Sequence, residues 1–340
     1  MFLLRESLLG SRLPAKIARP TPLDGRPAPL VISSLETHTV MHPRPSGGMN
    51  SLDVLYAQAA EAARTGSPGF SFATRFFPLD LRRAAHAVYW FCYYTRRLAS
   101  QAESPEQGRA DLDLWASMVT AGLRGELARH PVLDVFLDTV DQRAIPHDLP
   151  LQMIEGVRMD LEQTRYASFS QLRHRCHRVT GTVSLMMTHV VGFRGPALDY
   201  MADLGLAIEL TAVLRDVGEQ LAHGRIYLPL EEMEAFGYSE ADAERHLRND
   251  AFQKLMEFQA GRARGYYQQA EPGLPLLDQR GRFAVRTTFD IYRKTLRHIE
   301  ASGFDVFHRR PAVPVVERAW ITARSMAGPI TRSLWRAMSA

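Results

Sequence analysis

Cysteine is almost missing from this chain: Cys92 and Cys176 are the only two among 340 residues, each inside an apolar helical pattern. That excludes a disulfide framework and a cysteine zinc site, and a reducing cytoplasm is the expected location. Lysine is almost missing too. Lys16, Lys254 and Lys294 stand against 38 arginines. Because these basic residues alternate with acids, the net charge of +4 lends no support to nucleic-acid binding. Long apolar runs are absent as well: the longest, around Val183–Phe193, falls short of 18 residues and carries Thr188 and His189. A membrane-spanning helix is thereby excluded. What is present, 46% hydrophobic and 23% charged residues, suffices for one large globular core.

Strand-like alternation is scarce. From Met49 onward apolar residues recur at spacings of three and four, which predicts an all-α architecture. Candidate helices cover 51–65, 70–77, 79–100, 106–127, 131–142, 147–163, 168–194, 197–222, 240–247, 249–270, 280–303 and 313–326, with Pro and Gly supplying the turns. Leu81–Leu98 and Val179–Val191 are apolar on most faces and so belong at the centre of a bundle. Residues 1–48 hold seven of the 20 prolines and only Glu6, Asp24 and Glu36 as acids, the composition of a disordered extension without chemistry. Met49, just before the first periodic segment, is expected as an alternative start of translation. One domain is expected over 49–310, followed by a helical tail over 311–340, where Trp320 and Trp335 hint at peripheral membrane contact.

The most informative stretch runs Glu209-Leu-Thr-Ala212-Val-Leu-Arg215-Asp216-Val-Gly-Glu219-Gln220 and continues through Gly224-Arg225-Ile-Tyr227-Leu-Pro229. On a helix, Glu209, Asp216 and Glu219 share one stripe. In an apolar helix such a stripe either faces water, paired with Arg215 or Arg225, or binds cations, because buried carboxylates need partners. Spacing alone leaves both open. His86, His177 and His189 show no metal-ligand spacing and are expected as isolated core or surface histidines. Met186-Met187 and Tyr89-Trp90-Phe91 are expected to pack the core.

This stretch resembles the second aspartate-rich region of the squalene/phytoene synthase family, the head-to-head prenyltransferases. Gly69-Phe70, Thr74-Arg75-Phe-Phe-Pro78, Arg82-Arg83-Ala and Tyr89-Trp-Phe91-Cys92 resemble the family's first helices. Met159-Asp160-Leu161, Thr164-Arg165-Tyr166 and Val179-Thr-Gly181-Thr182-Val183 resemble the segment between its two motifs. The resemblance spans roughly residues 55–310. It implies the isoprenoid synthase fold, a helical bundle around an apolar tunnel for prenyl tails, with diphosphates held at the mouth by magnesium ions on carboxylates.

The departures from that pattern fall on the metal ligands. The three carboxylates of the first motif fall on Arg96, Arg97 and Ser100, so two positive charges stand where the family has three negative ones. The family arginine just upstream falls on Tyr93, and the diphosphate-binding serine segment keeps only Ser67. In the second motif, the family glutamine, asparagine and last aspartate fall on Glu209, Ala212 and Gln220, while Asp216 and Glu219 persist. At most one magnesium site, on Asp216, Glu219 and Glu209, is expected.

Arg96 and Arg97, with Arg225 and Ser67, either clamp a diphosphate directly or, in the case of the arginine pair, plug the vacated site by pairing with Asp216 and Glu219. Tyr227 is expected to line the diphosphate end. Three functions follow from the resemblance: a divergent prenyltransferase that moves the tail of farnesyl or geranylgeranyl diphosphate to an unidentified acceptor, with Asp216, Glu219 and Tyr227 as its catalytic residues; an inactive isoprenoid-binding or assembly subunit beside other enzymes of the pathway; or an ordinary squalene or phytoene synthase.

Overall fold

A computed structural model describes residues 51–126 and 130–325. The expected extension over 1–48, Met49, Trp335 and the rest of the tail beyond 325 lie outside the described residues. Fourteen named α-helices occur in chain order: α1 (Ser51–Gly66), α2 (Pro68–Thr74), α3 (Leu79–Ser100), α4 (Pro105–Leu123), α5 (Pro131–Arg143), α6 (Asp148–Glu162), α7 (Phe169–Cys176), α8 (Thr182–Val191), α9 (Ala197–Arg215), α10 (Val217–Ala222), α11 (Leu230–Ala235), α12 (Glu240–Glu244), α13 (Asp250–Ala270) and α14 (Gln279–Ala301). A further helix, α15, spans 315–325. The all-α expectation holds.

Local chemistry explains most boundaries. Pro opens α2, α4 and α5, where its missing N–H costs nothing. The Ser104, Ser168 and Asn249 side chains cap α4, α7 and α13 by accepting from backbone N–H groups of the first turn. Ser239 and Asp242 form a reciprocal capping box on α12.

Three differences from the periodicity bear on the site. The helix expected over 168–194 contains a π-helical turn at His177–Gly181 between α7 and α8, a wider turn that shifts the facing of every residue after it. The helix expected over 197–222 breaks at Asp216, with φ −104° and ψ 18°. The short helix α11 and a 3₁₀ turn at Glu271–Leu276 carry too few apolar repeats to register as periodic.

Helix α9 is the centre of the bundle. Every residue from Leu204 to Arg215 is buried, and α9 packs against α8, α13, α14 and the π turn. Close approach to the π turn depends on glycine: a Cβ on Gly205 would lie 2.7 Å from the Gly181 Cα. A Met186, Tyr89 and Phe91 core forms as expected, whereas Trp90 and Met187 are half-buried at its edge. Helix α15 docks on α14 through Glu317, which pairs with Lys294 at 2.7 Å and His298 at 3.0 Å, while Val315, Val316 and Trp320 stay exposed. Among the described residues no helix is long and apolar enough to cross a membrane.

Candidate functional site

A buried polar cluster sits where α6, α7, the π turn and α9 meet. Arg175, 1% exposed, donates from Nε and Nη2 to the two Asp160 carboxylate oxygens at 2.8 and 2.9 Å, and from Nη1 to Glu209. The second Glu209 oxygen accepts from Thr180 Oγ1 at 2.5 Å. Tyr227 donates to Asp160 Oδ1 at 3.1 Å, and its ring lies 4.7 Å from the Arg175 guanidinium carbon. Burial alone would drive the proton from Arg175, but Asp160 and Glu209 outweigh it and hold the group well above the ordinary arginine value.

The turn that carries Tyr227 is built by glycine and backbone pairing. Gly224 has φ +69°, a conformation other residues resist, and its carbonyl accepts from Arg165 at 2.7 Å. Ile226 N–H bonds to the Thr164 carbonyl at 2.9 Å and Leu230 N–H to the Tyr166 carbonyl at 2.9 Å. The two segments singled out around 164–166 and 224–229 are thus adjacent. Arg225 donates to the Asp160 carbonyl at 3.1 Å.

Past the break in α9, Asp216 receives Arg215 through Nε at 2.7 Å and Nη2 at 2.8 Å. Arg310, from the segment after α14, adds a bond to Asp216 Oδ1 at 2.9 Å and reaches Glu219 at 3.7 Å. Pairing of the stripe with Arg215 is found, but the face is not solvated: Asp216 is 4% and Glu209 3% exposed. Arg215 and Arg310 both pair with Asp216, the role that one of the two readings gave to Arg96 and Arg97. Arg96 is half-buried and donates to the Val179 carbonyl at 3.2 Å, whereas Arg97 is exposed on the next face, its Nε bonded to Gln101 at 2.6 Å. Neighbours on a helix point about 100° apart, so the two stems leave α3 on different faces.

An apolar cavity of about 520 Å³ lies between α2, α3, α8, α9, α14 and α15, within the range typical of small-molecule sites. Phe70, Met187, Leu204, Ile208, Val285 and Ile291 form part of its wall. It shares α9 with the polar cluster, since Ile208 precedes Glu209, and reaches Ser184 on α8, four residues beyond Thr180 of the π turn. Ser67, just before the cavity-lining Gly69 and Phe70, is fully buried, and its Oγ has no hydrogen-bond partner among the described residues. Cys92 is buried and its thiol is pushed up to about 12 by desolvation, so it offers no nucleophile.

Thr74 on the cavity wall bonds at 2.8 Å to Nε2 of buried His86. Burial, helped by the charge of Arg82, lowers His86 to about 4. An unfolded histidine titrates near 6.5, so between these values the unfolded chain binds a proton that the folded chain refuses. Stability is therefore full above about pH 6.5 and falls on acidification towards pH 4. The melting temperature of His86→Gln is expected to depend less on pH across that window than the parent's; parallel curves would assign the titration to another group.

The residues present do not fit a magnesium centre. Magnesium demands several oxygen ligands at about 2.0–2.1 Å, but the oxygens of Glu209 and Asp216 are committed to Arg175, Thr180, Arg215 and Arg310. Among the described residues no three His, Cys, Asp or Glu side chains come together as a metal site. No site for the single ion expected on Asp216, Glu219 and Glu209 is therefore assembled among the described residues. Asp160, Arg175, Thr180 and Arg310 were not singled out as site residues. Asp160 and Thr180 lay in segments that carried the resemblance, whereas nothing local marked Arg175 or Arg310.

The family model for squalene/phytoene synthase matches residues 63–317. The chain is 36% identical over 288 residues to a 15-cis-phytoene synthase of Synechococcus elongatus, an alignment covering 80% of this chain and 92% of that protein. It is 34% identical over 307 residues to a 15-cis-phytoene synthase of Synechocystis, covering 83% and 90%. Among solved structures, a dehydrosqualene synthase in complex with a ligand superposes with a TM-score of 0.75 at 23% identity, covering 82% of this chain and 98% of that one.

Proposed function

Because the chain belongs to the squalene/phytoene synthase family, we propose that it binds one allylic prenyl diphosphate, tail in the apolar cavity, and transfers the prenyl group to a second molecule. The cavity carries this proposal: its wall is apolar, and it begins beside Ser67 and Phe70, in the segment whose family counterpart binds diphosphate. In the transfer the allylic carbon–oxygen bond breaks, diphosphate leaves with the bonding electrons, and the prenyl carbon bonds to the acceptor, which gives up a proton or another cation. Positive charge near the leaving oxygens lowers that barrier. Arg96 and Arg225 are the groups of this chain suited to that role, with the Ser67 hydroxyl as a neutral donor. Asp216, Glu219 and Tyr227 then act as positioning residues, since each is engaged with an arginine or with Asp160. Arg97 has a peripheral part at most.

A second reading, binding without transfer, is favoured by one observation: the surviving carboxylates of the second motif are already neutralised from within. The relatives named as phytoene synthases favour the ordinary family activity. Incubation with farnesyl and geranylgeranyl diphosphates, with magnesium or with chelator, separates these readings when diphosphate release, products and binding are followed by mass spectrometry. Release that survives chelation is the expected result. A thirty- or forty-carbon hydrocarbon formed only with magnesium would establish the ordinary activity, binding without release across candidate acceptors would favour the carrier, and absence of binding would overturn all three.

A further inference from the structure

We infer that internal guanidinium groups stand in place of divalent cations at the polar end of this bundle: Arg175 between Asp160 and Glu209, and Arg215 with Arg310 over Asp216 and Glu219. The inference concerns the site of the proposed function and rests on that reading for the identity of the anion bound there, but not for the pairing itself.

The geometry is that of replacement. Arg175 presents its fork to both oxygens of Asp160 and its remaining edge to Glu209, so that one cation bridges two carboxylates from different helices, the task a bridging metal ion performs. It is 1% exposed. Arg215 presents the same fork to both oxygens of Asp216, and Arg310 adds a third donor. Three guanidinium groups thus serve four carboxylates, while Arg225 and Arg96 bond to the carbonyls of Asp160 and Val179 at the edge of the same cluster.

A divalent ion entering here would lose the oxygen ligands already occupied and meet fixed positive charge within a few ångströms. The same reversal of sign occurs at Arg96 and Arg97, where the resemblance places carboxylates. Arginine suits this role better than lysine: it keeps its charge when buried and matches a carboxylate at two points. The guanidinium groups therefore occupy the carboxylate oxygens that a metal ion would need and exclude it from the cluster.

The test uses the full chain and Mn2+ alone, read by loss of the free-ion spin-resonance signal, with no prenyl substrate; its outcome is independent of whether transfer occurs. The parent is expected to leave the signal unchanged at millimolar metal. The double variant Arg215→Gln/Arg310→Gln, confirmed as helical by circular dichroism, is expected to bind Mn2+ at least tenfold more tightly than the parent, because Asp216 and Glu219 are then released. Stoichiometric Mn2+ binding by the parent overturns the inference. So does a folded double variant that binds no better than the parent, since the guanidinium groups would then not be what keeps the metal out.

Discussion

Arg175→Ala is expected to lose about 3–5 kcal/mol of folding stability, the cost of leaving one side of a buried ion pair uncompensated. The substitution removes a guanidinium that pairs with both Asp160 and Glu209. Glu209, 3% exposed, keeps its bond from Thr180 but loses this positive charge. Tyr227 also loses the cation over its ring. The loss has an internal control. Combining Arg175→Met with Glu209→Gln removes opposite charges together, and replacing a buried pair by neutral groups of similar volume is often close to neutral. The double variant should therefore recover most of what Arg175→Ala loses in chemical denaturation. Should both variants lose stability equally, packing around the Arg175 stem, and not its charge, would be what holds α6, α7 and α9 together.

The second large effect is on binding. Thr288, half-buried on α14, lines the cavity, and its hydroxyl is satisfied by the Ala284 carbonyl at 3.0 Å on its own helix. Thr288→Trp puts an indole into the open volume. Because that space is otherwise free, the melting temperature should change little. Binding of geranylgeranyl diphosphate should weaken at least tenfold, about 1.4 kcal/mol, while inorganic pyrophosphate binding stays as in the parent, since it depends on the polar end alone. Calorimetric titration of both ligands distinguishes a blocked tail site from a damaged head site. Unchanged affinity for the prenyl ligand would mean that its tail lies somewhere other than this cavity.

Some features of the site were legible because they depend on residue identity at a place along the chain. Arg96 and Arg97 are positive whatever the fold, so loss of the first carboxylate motif could be read directly. Asp216 and Glu219 were marked by their spacing, and Ser67 as the one serine kept from the segment that in the family binds diphosphate. The stripe through Glu209 was read as continuous because helical periodicity assumes an unbroken helix, whereas α9 ends at Asp216, which pairs with its neighbour Arg215 and with the distant Arg310. Helix boundaries such as those of α3 and α13 were close to their predicted limits because caps, proline and apolar spacing act over a few residues.

The sequence by itself determined that this protein is helical, that it belongs with the head-to-head prenyltransferases in outline, and that its acidic ligands are depleted and its arginines abundant. Which arginine neutralises which acid was decided only in three dimensions. Arg175 and Glu209 are 34 residues apart and Arg310 and Asp216 are 94 apart, separations over which no periodicity carries information. Their meeting requires the π turn, the glycine contact between the π turn and α9, and the return of the chain after α14. A charge pattern is a local property, but the partner of a buried charge is set by whatever the fold closes around it, because an unpaired charge inside the bundle would be too costly to keep.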